Sequence, residues 1–125
     1  MSYYGTVLDL PSPDLAIREG DVDPVTFTLR NADGTPVDLS GKTVKITLRP
    51  LRGVQTNLVY DSAIDVSRLA IVSPTAGTVR LLPAATSFTA ISGPYHGYFS
   101  VLSGGVNPQT VPQDREIWIA ILPAL

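Results

Sequence analysis

The chain holds a single histidine, His96, set between Tyr95 and Gly97. An imidazole works as a general base only when a third group orients it beside an activated serine or thiol. No Gly-x-Ser-x-Gly turn exists and no acidic residue lies close to it in sequence, so a half-exposed strand residue is expected there. Glycoside hydrolysis needs two positioned carboxylates. The only glutamates are Glu19 and Glu116, and most aspartates, Asp33 and Asp38 among them, fall in turn sequences where the side chain bonds local backbone. Glu19, Asp21 and Asp23 offer oxygen ligands of the kind calcium takes, but not at the spacing of the twelve-residue calcium loop, and a solvated loop is the expectation. Gly104-Gly105 has neither the lysine nor the following helix of a phosphate cradle. Tyr3, Tyr4, Tyr60, Tyr95, Tyr98 and Trp118 could include a sugar-stacking platform, although Tyr95 and Tyr98 take opposite faces of their strand, so at most one points outward. No catalytic residue, metal or cofactor is assigned, and the chain reads as a non-enzyme.

These residues must be carried by short extended elements, because eleven prolines and ten glycines divide the 125 residues into brief segments. Val25, Phe27 and Leu29 alternate with Thr26, Thr28 and Arg30, the period of a half-buried strand. Val44, Ile46 and Leu48 alternate with Thr43, Lys45, Thr47 and Arg49 until Pro50. Residues 57–60 read as an edge strand, Val79 and Leu81 mark another, Tyr95, Gly97, Phe99 and Val101 line one face of a longer one, and residues 116–122 form the last. Asp33-Gly34, Asp38-Leu39-Ser40-Gly41 and Ser103 to Pro108 are read as the connections. Leu82 to Phe88 opens on a proline followed by good helix formers, and one short helical turn is expected near 83–88. Strands with one apolar face each, and nothing to supply crossover helices, predict an all-β fold. The expected fold is an immunoglobulin-like antiparallel β-sandwich of about seven to eight strands, with a barrel as the alternative.

Hydrophobic residues make up 44% and charged residues 16%, well below the usual charged share of about 25%. A surface so poor in charge suits a protein buried by partners. The net charge is −2, and the nearest approach to a basic cluster, Lys42, Lys45, Arg49 and Arg52, lacks interleaved aromatics, so no nucleic-acid partner is expected. Cysteine is absent, which removes disulfides and thiolate zinc sites. No apolar run approaches the length of a membrane span, and the first residues lack a secretory pattern, so a soluble product without an export address is expected. Two stretches break the alternation. Ile117 to Leu122 is apolar on both faces, the mark of a strand covered by another layer or by a neighbouring chain. Residues 1–13, with Tyr3, Tyr4, Val7, Leu8 and Leu10 ahead of Pro11-Ser12-Pro13, read as an extended N-terminal arm to a sandwich domain at 14–125. The expected partner-binding residues are Tyr3, Tyr4, Val7, Leu8, Leu10, Trp118 and Leu122.

Residues 17–49 carry a more specific pattern: Ile17-Arg18-Glu19-Gly20-Asp21, the strand Val25 to Leu29, the turn Asp33-Gly34-Thr35-Pro36-Val37-Asp38-Leu39-Ser40-Gly41, and the strand Val44 to Arg49. Thr75 to Val79, Gly93-Pro94-Tyr95 to Val101, and Thr110-Val111-Pro112 follow in order. The pattern resembles the N-terminal domain family of phage baseplate upper proteins and related small domains of phage structural modules, over roughly residues 14–122. Unlike a baseplate upper protein, which would continue into a long second region, this sequence stops at Leu125 and begins with the apolar arm. The resemblance implies a bacteriophage virion structural protein, an adaptor or anchoring domain of the tail, baseplate or neck. It would be assembled in the host cytoplasm and held by contacts with other virion proteins and copies of itself. A capsid (head) decoration protein is the nearest alternative, and a carbohydrate-binding module the next. The resemblance implies no catalytic residues. Within the turn, Leu39 is expected in the core, with Asp38 and Ser40 bonding local backbone and Gly41 redirecting the chain.

Overall fold

The structure is a computed structural model that describes residues 14–52, 56–104, 106–112 and 115–125. The described residues are all-β, with nine strands in two sheets. The strands are β1 (Leu15–Arg18), β2 (Val25–Thr28), β3 (Lys42–Pro50), β4 (Leu58–Asp61), β5 (Leu69–Ser73), β6 (Thr78–Leu81), β7 (Tyr95–Ser103), β8 (Val106–Val111) and β9 (Ile117–Leu122). One sheet has the order β1-β9-β7-β3-β4, with β8 also pairing β7, and the other is β2-β6-β5. The sheets share one apolar core in a sandwich-like arrangement.

Alternation decides which side chains fill that core. Val44, Ile46 and Leu48 of β3 are fully buried, as are Tyr95, Phe99 and Val101 of β7, which runs antiparallel beside it. Val79 and Leu81 of β6 and Leu69 of β5 meet them from the second sheet. Phe27 of β2 packs edge-on against Phe99, ring centres 5.1 Å apart. The turn at 38–41 forms as its residues dictate: Asp38 Oδ1 accepts from Ser40 N at 3.0 Å, Leu39 is 1% exposed, and Gly41 takes a φ of 70°. Asp33 closes the other turn, accepting from both the amide and the hydroxyl of Thr35.

Four features depart from the sequence reading. Residues 83–88 form no helix. Ser87 N donates to Ala84 O while Ala84 N donates to Ser87 Oγ, so the serine closes one isolated turn on itself. Phe88 then drops into the core, edge-on to Tyr95 at 4.9 Å. The stretch read as a connection at 103–108 runs into β8, and Pro108 is tolerated there because β8 pairs β7 alone among the described strands. Among the described residues nine strands stand where seven or eight are expected, because β1, β5 and β8 are not visible as alternating runs. The pairing is also not wholly antiparallel: β1 runs parallel to β9, with Leu15 opposite Ile119 and Ile17 opposite Ile121.

Candidate functional site

Since inward positions on β7 are odd-numbered, the even-numbered His96, Tyr98 and Ser100 stand on the outer face of the larger sheet. The register sets Arg49 of β3 directly opposite His96, and His96 directly opposite Trp118 of β9. Three strands thus contribute one transverse row. Glu116, immediately before β9, joins it together: Oε1 lies 2.9 Å from His96 Nδ1, and Oε2 forms an ion pair with Arg49 Nη2. The imidazole stacks on the indole, centres 4.7 Å apart and planes 16° from parallel. The His96 side chain is 18% exposed and that of Glu116 33%, so the row is half-sunk in its face.

A carboxylate on Nδ1 gives an imidazole the orientation it has in a catalytic triad. Among the described residues no serine or threonine hydroxyl bonds that imidazole, and the row lies on an open sheet face. What the arrangement achieves is rigidity: the carboxylate neutralises Arg49, fixes the histidine ring, and the ring fixes one face of Trp118. The result is a flat surface of mixed aromatic and charged character beside Tyr98, Ala120 and Leu122.

Of the expected partner-binding residues, Trp118 and Leu122 lie on this outer face of β9, and Leu122 is 39% exposed. Tyr3, Tyr4, Val7, Leu8 and Leu10 lie outside the described residues. Tyr95 is buried and Tyr98 faces out, as their parity requires. Glu19 leaves its acidic neighbours and accepts from Ala90 N at 2.6 Å, tying the end of β1 to the 83–94 loop. Sequence reasoning paired neither Glu116 nor Arg49 with His96, because they stand 20 and 47 positions away; strand register alone brings them together.

A second feature lies at the opposite side of the same sheet. A cleft of about 650 Å³ opens between β2 and the strand ends of the larger sheet, floored by Leu15, Phe27, Phe99, Val111 and Ile117. Asp14, Arg30, Asn31 and Arg115 edge it. Asp14 is held there by its carboxylate, which accepts from Trp118 N at 2.8 Å and pairs with Arg115.

The chain matches no protein-family model, and no curated protein is significantly similar to it.

Proposed function

We propose that the chain is a bacteriophage virion structural protein, an immunoglobulin-like adaptor or anchoring domain of the tail, baseplate or neck that acts through protein–protein contacts. The strand order supports the immunoglobulin-like reading in part: β9-β7-β3-β4 set against β2-β6-β5 resembles the strand sets of that fold, while β1 pairs parallel with β9 and not with β2. The phage-like turn from Asp33 to Gly41 supports the virion reading. The observation that carries a binding role is the stiffened outer face on which Glu116 locks Arg49, His96 and Trp118 beside Leu122. Preorganised aromatics of this kind lose little entropy on burial and serve as interface anchors. The apolar arm, through Tyr3 and Tyr4 above all, adds a second contact. Docking would be passive, with a buried surface on the order of 1,000 Å² or more.

The decisive experiment places the protein in a particle. Tailed virions carrying the wild-type chain are compared with virions carrying Trp118→Glu with Leu122→Glu. Wild-type chain in the tail, baseplate or neck density, and its loss in the variant, support the proposal. Location on the head would move the chain to the decoration class, and absence from every particle would reject the virion reading. A glycan array tests the carbohydrate alternative, to which the structure contributes one relevant fact: His96 already occupies one face of the Trp118 indole.

A further inference from the structure

We propose that the cleft beside β2 is the seat of the chain's own residues Val7 to Leu10, which add antiparallel to the open edge of β2 with Leu8 and Leu10 turned inward. In its sheet β2 is paired with β6 alone among the described strands. Leu29 N donates to Gly77 O at 2.8 Å, Val37 N to Leu29 O at 2.9 Å and Asn31 N to Thr35 O at 2.8 Å. The odd-numbered residues of this stretch therefore turn their peptide groups toward β6 and the 35–37 segment, and Thr26, Thr28 and Arg30 turn theirs to the open edge. An unpaired edge is a template for strand addition. The cleft beneath it, about 650 Å³ and walled by Leu15, Phe27, Val111 and Ile117, has room for apolar side chains.

The heading of the chain at Asp14 selects this occupant. Leu15 pairs Ile119 of β9, which pairs Tyr95 of β7, and Asp14 N donates to Trp118 O, level with His96. Traced backwards from Arg18 to Asp14, the chain thus advances along β7 in the direction of Phe99. The same heading is taken by β2: Phe27 packs on Phe99, and Asn31 Oδ1 accepts from Gln109 Nε2 at 3.0 Å, Gln109 being the partner of Val101. A line continued beyond Asp14 therefore passes Phe27 first and Asn31 last, antiparallel to β2. Asp14 and Phe27 line the same cleft, and the four residues separating Leu10 from Asp14 in sequence can span up to about 14 Å.

The sequence Val7-Leu8-Asp9-Leu10 suits that edge. With Leu10 opposite Phe27 and Leu8 opposite Leu29, both leucines share the inward face of β2, and Asp9 and Val7 pair Thr28 and Arg30, whose peptide groups are the ones turned outward. Asp9 then stands on the outer face, diagonal to Arg30. It has the one charged side chain among residues 1–13, and Arg30 pairs with no carboxylate among the described residues. On the assembling reading above, Tyr3 and Tyr4 then meet a partner at the Asn31 end of the sandwich.

The test uses the full-length chain, in amide hydrogen exchange and in light scattering after size exclusion. The Thr28 and Arg30 amides are expected to be protected equally at every protein concentration, and to exchange at least about ten-fold faster in Leu8→Ser with Leu10→Ser. Leu29, whose amide bonds Gly77 O, keeps its protection in that variant, and Val7→Ser, on the outer face, leaves all three amides as they are. A second variant, Asp9→Cys with Thr28→Cys, exploits a chain that has no cysteine of its own. Facing residues of a hydrogen-bonded antiparallel pair suit a disulfide, and oxidation is expected to close one within a single chain. Exposed Thr28 and Arg30 amides in the wild type, protection that survives the double serine variant, or no disulfide would each overturn the proposal. Protection that rises with concentration, or a disulfide-linked dimer, would overturn it in favour of the arm of a second copy. The seat and the virion reading fail separately. Unprotected amides in a chain that still attaches to particles remove the seat alone; the expected protection in a chain that attaches to none removes the virion reading alone.

Discussion

His96 and Trp118 face each other across the β7–β9 pair with their rings stacked, and Glu116, two residues before the tryptophan, holds the imidazole at Nδ1. One short stretch of chain therefore supplies both the stacking surface and the carboxylate that orients the ring. The pair sits where β9 takes over from β8 along the edge of β7, so the cluster also secures the start of the last strand.

The energetic weight of that cluster is modest because water reaches it. With side chains 44% and 33% exposed, Arg49 and Glu116 should show a coupling of about 1 kcal/mol or less in a double-mutant cycle with alanine. Trp118→Ala should cost about 1 kcal/mol through the lost stack. Urea unfolding of the four variants measures both. A coupling several times larger would mean the row is a stability element and not a presented surface.

Two glycines separate backbone strain from packing. Gly34 has a φ of 90° with open space around its missing side chain, whereas Gly77 has a φ of 70° and a Cβ there would lie 2.7 Å from Leu29 O and 2.8 Å from Val37 O. Gly34→Ala should destabilise by about 1 kcal/mol, the cost of the left-handed conformation. Gly77→Ala should lose about 3 kcal/mol, since the carbonyls of two paired segments must also move. Equal losses in denaturant titrations would contradict the close approach at Gly77.

Leu39 gives the turn motif its energetic purpose. It is 1% exposed, so Leu39→Ala should destabilise by about 2–5 kcal/mol through lost burial and a residual cavity. Ile64, 77% exposed in the β4–β5 connection, should tolerate alanine within about 0.5 kcal/mol. Calorimetric Tm values for the two variants compare them directly.

Acid should act on the two Asx turns. The Thr35 hydroxyl, and then its amide, hold the Asp33 carboxyl below its ordinary value of 3.8, and the Ser40 amide, then its hydroxyl, do the same for Asp38. A lowered folded pKa means the unfolded chain binds more protons between the two values. The contribution is therefore complete above the unfolded carboxylate pKa and lost as pH falls through the folded one. Thermal unfolding from about pH 5 to about pH 2.5 should show Tm falling in the wild type and falling less in Asp33→Asn with Asp38→Asn. Identical slopes would remove these carboxylates from the acid response.

Much of the architecture could be read directly from residue types. The alternation in β3 and β7, the break at Pro50, the burial of Leu39 and the opposite faces of Tyr95 and Tyr98 all follow from a period of two and from glycine and proline chemistry, which are local. What local chemistry could not reveal depends on pairing. Leu69 to Ser73 alternates too weakly to announce β5, Pro108 disguises β8, and helix formers at 84–86 gave way to Ser87 capping its own turn and to Phe88 seeking the core. The parallel β1–β9 edge and the meeting of Arg49, His96, Glu116 and Trp118 arise only when distant strands come into register. A one-residue slip in β7 or β9 would send His96 or Trp118 into the core and dissolve the row. The sequence by itself determined which side chains β3 and β7 would hide; the tertiary structure alone decided which exposed ones became neighbours, because register is a property of the assembled sheet.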